Sequence, residues 1–327
     1  MPSVGGILRD SSHVGSDKNL LKVLSMRSTW EFKDLGKVKF CVGIAFTRDR
    51  ETRKISLSQT TLIEKIATNF LEPPIYPTHS SMDPNVKLQC PDTTEKLSIA
   101  DVKWLKALPY CSLVCSMMYI ASGSRPNVAY VVSKLAQYLD CYCDAHWDTA
   151  LQVAQYLYTT KDMKLWLGGE NPNCLIGFSD SSYTDCPDTH RSSMGYCFSL
   201  GSEVVSWSSR KQKTVSSSTT EAEYIAAGEA TRESIWLHTH LSEWKQPCNG
   251  ATIMFCDNNS AITLTKDPIH QAWNKHIDVH HHFIREQVEN QEIDIWRVSS
   301  EDNIADIMTK PLVGANFERL RNGLGIC

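Results

Sequence analysis

Two short apolar runs, CLIGFSD at 174–180 and TIMFCD at 252–257, each end in an aspartate, Asp180 and Asp257. This constrains the fold more than any other feature of the chain. A run of four to six apolar residues suits a buried strand, and a carboxylate closing a buried strand is poorly solvated, so it needs a cation, a donor or a proton. Two more acids, Glu223 and Asp306, stand in the first turns of predicted helices in the same half of the chain, where the helix dipole favours an anion. A strand-end acid or helix-start acid taken singly is ordinarily a turn or cap residue. Four that converge would repel one another strongly unless divalent metal sat between them. If the strands bearing Asp180 and Asp257 are neighbours, the four acids suit two divalent ions roughly 4 Å apart, one activating a water and one stabilising a leaving oxygen.

The elements around these acids read as a mixed α/β unit. SMGYCFSLGSEVVSWSSRK continues the first run as two more strands. TTEAEYIAAGEATRESIWLHTHLSEW (219–244) is a long helix rich in Ala and Glu. NNSAITLTK begins a helix, KHIDVHHHFIREQVEN is a second long one, IDIWRVSS a last strand and NIADIMTK a final helix. Three strands, a helix and then strand–helix alternation predict a five-stranded mixed sheet flanked by helices.

The first half has a different grain. Residues 1–28 show little periodicity and read as a weakly structured N-terminus. Val38, Phe40, Val42 and Ile44 alternate with Lys39, Cys41 and Gly43 before a charged turn, a hairpin pattern. Leu62, Ile63, Ile66 and Phe70 recur at helical spacing until Pro73, Pro74 and Pro77. Residues 78–100 read as a polar linker, and three apolar-faced helices follow between 104 and 160. Gly168-Gly169 and the NPN at 171–173 mark the boundary, giving segments 1–28, 29–167 and 168–327.

Bulk properties exclude little. At 327 residues, with 42% apolar and 21% charged residues, the chain has the composition of a globular protein with room for two cores. No apolar run approaches the ~20 residues of a transmembrane helix, and the N-terminus lacks the pattern of a secretory signal. These features predict an intracellular protein with no membrane partner, whose twelve cysteines are reduced thiols. A formal charge of −4 does not exclude a local basic groove.

Beside the acids, Arg210, Lys211 and Lys213 follow Trp207 at the end of a predicted strand and suit phosphate contacts, with Ser217 adding a hydroxyl. Asn258, directly after Asp257, is a candidate for a contact in a nucleic-acid groove. For each of these residues a solvated turn is the competing reading. His276 with His280, His281 and His282 lacks a metal-ligand pattern and reads as surface or packing. Cys141, Cys143 and His146 are too tightly spaced, with no second ligand pair, for zinc.

From about residue 30 onward the chain resembles the C-terminal part of the Pol polyprotein of copia-type long-terminal-repeat retrotransposons. The strings that carry the resemblance are WEFKDLG, ISLSQ, SRPNVAYVVSKLAQYL, SDSSYTD, RSSMGY, VSWSSRKQ, SSTTEAEY, EATRESIWL, CDNNSAI, KHIDVHHHFIRE and ADIMTKPL, in one order. The resemblance implies a mainly helical reverse transcriptase thumb and connection fragment at 29–167 and a ribonuclease H-like domain at 168–327. It implies that Asp180, Glu223, Asp257 and Asp306 bind two Mg²⁺ ions, with Mn²⁺ as a substitute, and cut the RNA strand of an RNA–DNA hybrid. Glu223 is preferred over Glu221, because the family's catalytic glutamate precedes an apolar residue and has a small one three positions on, here Tyr224 and Ala226.

Two departures qualify the resemblance. The polymerase's Tyr-Val-Asp-Asp box has no counterpart upstream of WEFKDLG, where the chain reads LRDSSHVGSDKNL, so polymerase activity is not expected. The segment IWRVSSEDNIAD lacks the histidine that cellular ribonucleases H often carry ahead of the last aspartate, which implies slow turnover. Partners implied are the hybrid and the remainder of a Pol polyprotein, in a cytoplasmic virus-like particle. The rival expectation is an inactive remnant that binds nucleic acid or another Pol fragment. An integrase would show a different acid spacing. A thumb without its palm is expected to make the whole chain less soluble than 168–327 alone.

Overall fold

A computed structural model describes residues 37–91, 104–105, 107–168, 175–201, 203–246, 248, 250–266 and 278–327. The first half begins with β1 (Phe40–Cys41), β2 (Ile44–Asp49) and β3 (Lys54–Ser58), followed by α1 (Thr60–Phe70). The alternation at 38–44 is not one strand. Val42 and Gly43 both take positive φ and turn the chain between β1 and β2, which leaves Phe40 and Val42 exposed. The helices are α2 (Tyr110–Gly123), α3 (Ala129–Leu135) and α4 (Asp144–Thr159), and β4 (Leu165–Leu167) adds to β3.

The second half holds β5 (Leu175–Ser182), β6 (Ser193–Leu200), β7 (Glu203–Lys211), α5 (Thr219–Glu243), β8 (Thr252–Cys256), α6 (Asn259–Lys266), α7 (Asp278–Glu289), β9 (Ile293–Arg297), a 3₁₀ turn (Ile304–Met308) and α8 (Gly314–Gly323). Its five strands lie in the order β7-β6-β5-β8-β9, antiparallel through β7, β6 and β5 and parallel through β5, β8 and β9. This is the mixed five-stranded sheet that the element order predicts.

Each face of this sheet buries a separate apolar layer, as strand alternation requires. Phe198, Met254, Ile293 and Ile295 pack under Tyr224, Ala227 and Ala230 of α5 and Ile284 of α7. Small residues along the buried side of α5 let that helix lie close across β5 and β6. The opposite face does not stop at residue 168. Cys197, Val204, Ile307 and Met308 belong to the same buried cluster as Leu113, Met117, Val132 and Leu157 from the helices of the first half. Phe317, Leu320 and Ile326 extend that cluster from the C-terminal end. Ile326 bridges to Leu165 of β4, and Lys164 N donates to the Cys327 carbonyl at 2.8 Å.

Three further expectations need correction. The stretch at 78–91 is not a solvated linker, since Met82 and Leu88 are buried, while 92–100 lies outside the described residues. Cys90 and Cys141 form a disulfide, so not every thiol is free. NIADIMTK forms only a five-residue 3₁₀ turn, because Pro311 lies just beyond it and cannot continue a helix. The last helix is instead α8.

Candidate metal centre

Asp180 lies within β5, two residues before its end, and Asp257 directly follows β8. The two strands are parallel neighbours, aligned through Phe178 and Phe255, so the aspartates fall level two residues beyond that pair. Asp306 reaches the same place from the 3₁₀ turn, which β5 and β6 support from below. Asp180, Asp257 and Asp306 each present an oxygen within 4.8 Å of the others. Glu223, on the buried side of α5, forms a second such group with Asp257 and the Cys256 sulfur. The two groups share Asp257, so all four predicted acids meet in one place.

Their environments differ. Asp180 is 1% exposed, and Oδ2 accepts from the Thr309 hydroxyl while Oδ1 lies 3.3 Å from Lys310 Nζ. Asp306 Oδ1 lies 2.8 Å from the same ammonium. Asp257 is held from outside by Ser300 Oγ, which donates to Oδ2 at 2.7 Å. Glu223 Oε1 accepts from the Ser181 amide at 3.3 Å, and its Oε2 is buried with no hydrogen-bond partner among the described residues. Burial, then Asp180, then Asp257 push the Glu223 carboxyl up to about 9. Burial and Asp180 push Asp306 up to about 7 against the pull of Lys310. Burial opposes charge on Lys310, yet Asp180 and Asp306 hold its ammonium above the ordinary range.

These acids fit a hard divalent cation. Their donors are carboxylate oxygens, and an orphaned buried oxygen on Glu223 together with raised carboxyls is what acids show when a cation is needed to keep them ionised. The neighbouring Cys256 thiol is pushed up to about 12 by burial first, which favours its neutral form. Among the described residues no such group contains histidine, and the side chains of His280, His281 and His282 and all of His276 lie outside them.

Glu221 is placed differently from Glu223. It sits at the start of α5, where it accepts from the Ser217 amide at 2.7 Å, while its own amide donates to the N-cap Ser218. Its carboxylate serves the helix start, and the Ser217 hydroxyl donates to it as well.

The expected nucleic-acid contacts divide in two. Arg210 and Lys213 are exposed at the end of edge strand β7, on a turn anchored by the buried Gln212, whose Nε2 donates to the Ala222 carbonyl at 2.8 Å. Lys211 is half-buried with its Nζ 3.6 Å from the Cys186 sulfur. Ser217 is engaged with Glu221, and Asn258 Oδ1 caps α6 by accepting from the Ala261 amide at 3.0 Å. Sequence reasoning did not single out Lys310, Thr309 or Ser300. For Lys310 the signal was its place four residues after Asp306, the spacing of an ion pair on a helical turn.

Comparison with known proteins bears on the whole chain. No family model matches it. It is 35% identical over 319 residues to the retrovirus-related Pol polyprotein from transposon TNT 1-94 of Nicotiana tabacum, covering 96% of this chain and 23% of that protein. It is 32% identical over 314 residues to the corresponding polyprotein from transposon RE2 of Arabidopsis thaliana, covering 94% of this chain and 20% of that protein. Among solved structures, LC11-RNase H1 isolated from compost aligns with a TM-score of 0.33 and 13% identity, over 42% of this chain and 93% of that one. The chain thus spans about a fifth of the length of the polyproteins it matches, and over nearly all of its own length it is similar to part of the Pol polyproteins of copia-type retrotransposons.

Proposed function

We propose that the chain is a ribonuclease H-type endonuclease that cuts the RNA strand of an RNA–DNA hybrid with two Mg²⁺ ions. The observation that carries this reading is the meeting of Asp180, Glu223, Asp257 and Asp306 from two strands, a helix and a 3₁₀ turn, with Asp257 shared between two ligand groups. Bound divalent ions would supply the positive charge that a phosphodiester cleavage needs and would make a water nucleophilic near neutral pH.

The chain's own residues do the positioning. Thr309 fixes the orientation of Asp180, and Ser300 fixes Asp257, so neither carboxylate has to search for its place. Burial and the neighbouring aspartates favour the neutral form of the Glu223 carboxyl, and a bound cation would favour its ionised form. Arg210 and Lys213 lie where they can pair with backbone phosphates, a contact without sequence preference. Selectivity for the RNA strand would rest on its 2′-hydroxyls. Segments 29–167 and 168–327 are proposed as the thumb and connection fragment and the nuclease, with the rest of a Pol polyprotein as partner. Among the described residues no helix is long and apolar enough to cross a membrane.

The test is cleavage of an end-labelled hybrid by the purified chain in Mg²⁺, with Asp257→Asn as control. The expected result is RNA-strand fragments ending in 3′-hydroxyls, absent in the variant while hybrid binding is retained. A folded sample that cuts neither strand in Mg²⁺ or Mn²⁺ would overturn the reading.

A further inference from the structure

Both carboxylate oxygens of Asp180 are already engaged, Oδ2 by the Thr309 hydroxyl and Oδ1 by Lys310 Nζ at 3.3 Å. The same ammonium takes Asp306 Oδ1 at 2.8 Å. A divalent ion between Asp180, Asp257 and Asp306 would therefore share two of its three carboxylates with a cation that the chain already holds there. The two contacts on Asp180 are not equally easy to surrender. Thr309 is fully buried and backed by the 3₁₀ turn, whereas the Lys310 side chain is 35% exposed and reaches in from the rim. Its four-carbon stem lets the ammonium turn outward into water without moving the backbone. An ammonium left in place would also repel the arriving ion.

We infer that Lys310 is a resident counter-cation of the acid cluster, which draws Asp180 and Asp306 together in the metal-free protein and must swing out as a divalent ion takes their oxygens. This rests on the metal-binding reading of the four acids and adds that their affinity is set by an internal competitor. Lys310 then has two separable effects: it steadies the metal-free fold, and it weakens metal binding.

The experiment is calorimetric titration of the full chain with Mn²⁺, together with thermal melting in EDTA and in saturating Mn²⁺, for wild type, Lys310→Met and Lys310→Arg. Lys310→Met is expected to bind Mn²⁺ about tenfold tighter, the weight of a partly exposed pair of ion contacts. It is also expected to melt below wild type in EDTA, with the gap closing in saturating Mn²⁺. Lys310→Arg keeps the charge and is expected to stay near wild type in both. Folded Lys310→Met that binds Mn²⁺ no tighter than wild type overturns the inference and leaves the metal centre standing. Failure of both proteins to take up Mn²⁺ at millimolar concentration overturns the metal centre and the competitor together. Should Lys310→Met not fold in EDTA, Lys310→Gln is read by the same criteria.

Discussion

Lys134 Nζ of α3 lies 2.5 Å from Asp185 Oδ2, and both side chains are largely buried. The pair joins a helix of the first half to the loop that follows the strand carrying Asp180. Asp185 also accepts from the Ser193 amide and hydroxyl, at 2.7 and 2.8 Å, which binds the start of β6 into the same arrangement. Asp188, three residues on, accepts from Tyr138 of the helical layer at 3.0 Å and from the Cys90 amide. The loop is therefore held from outside its own segment.

Removing one partner of this pair leaves the other charge stranded. Lys134→Met is expected to cost about 3 kcal/mol, as for other buried ion pairs that lose one member. The double variant Lys134→Met/Asp185→Asn is expected to recover part of that loss. Urea unfolding of the four proteins in a double-mutant cycle measures the coupling, and additive losses would show that the pair does not couple.

Stability should depend on pH with a definite sign. Glu223 has its folded value raised to about 9 from an ordinary 4.5, so the folded state binds more protons than the unfolded chain between those limits. Stability therefore falls as pH rises through that window. Asp306, raised to about 7 from 3.8, adds to the fall over the lower part. Melting temperatures in EDTA are expected to drop between pH 5.5 and 8.5, and Glu223→Gln should flatten the slope. Mg²⁺ should raise the melting temperature more at pH 8.5 than at pH 6, since it replaces a proton that is harder to remove at low pH.

Gly195 is the ladder partner of Asp180, and a methyl added there would run into Met308 Cβ and the Thr309 methyl. Gly195→Ala is expected to destabilise by about 1–3 kcal/mol through overpacking. Because the displaced turn carries Asp306 and Thr309, cleavage should fall more than tenfold even where the protein stays folded, on the ~1 Å sensitivity of reacting geometry. Wild-type turnover in a folded Gly195→Ala protein would show that the turn can shift without disturbing the acids.

The basic turn makes a narrower prediction. Arg210→Ala and Lys213→Ala together should reduce the slope of log affinity against log salt by roughly one to two for a hybrid, with no change in melting temperature. Lys211→Ala should alter the slope less, because its ammonium is turned toward Cys186. Fluorescence anisotropy at several salt concentrations separates the two outcomes.

The sequence makes legible what depends on local pattern. The strand ending near Asp180, the strand before Asp257 and the helix at 219–243 follow from apolar runs and good helix formers. The parallel adjacency of β5 and β8 is left open by the element order, since α5 joins β7 to β8 and carries the chain past β6 before β8 pairs with β5. What is hidden is what long-range packing decides. Nothing local says that Lys134 meets Asp185, or that Cys90 meets Cys141. The turn bearing Asp306 looked like a helix because its composition suits one, and the proline after it limited its length. Val42 looked like a strand residue because it sits in an alternating run, yet it turns the chain.

The pairing of Ile326 with Leu165 has a consequence for how the molecule is made. β4 pairs with β3 on one side and takes a bridge from Ile326, near the far end of the chain, on the other, and Phe317 and Leu320 fill the helical layer from the same direction. On a ribosome, the first half would wait with its apolar surface uncovered until that end emerged. A cut at residue 168 would thus leave each piece with an unfilled seam. The expected gain in solubility for 168–327 alone would then be reversed, and comparing soluble yield of the fragment and the whole would decide it.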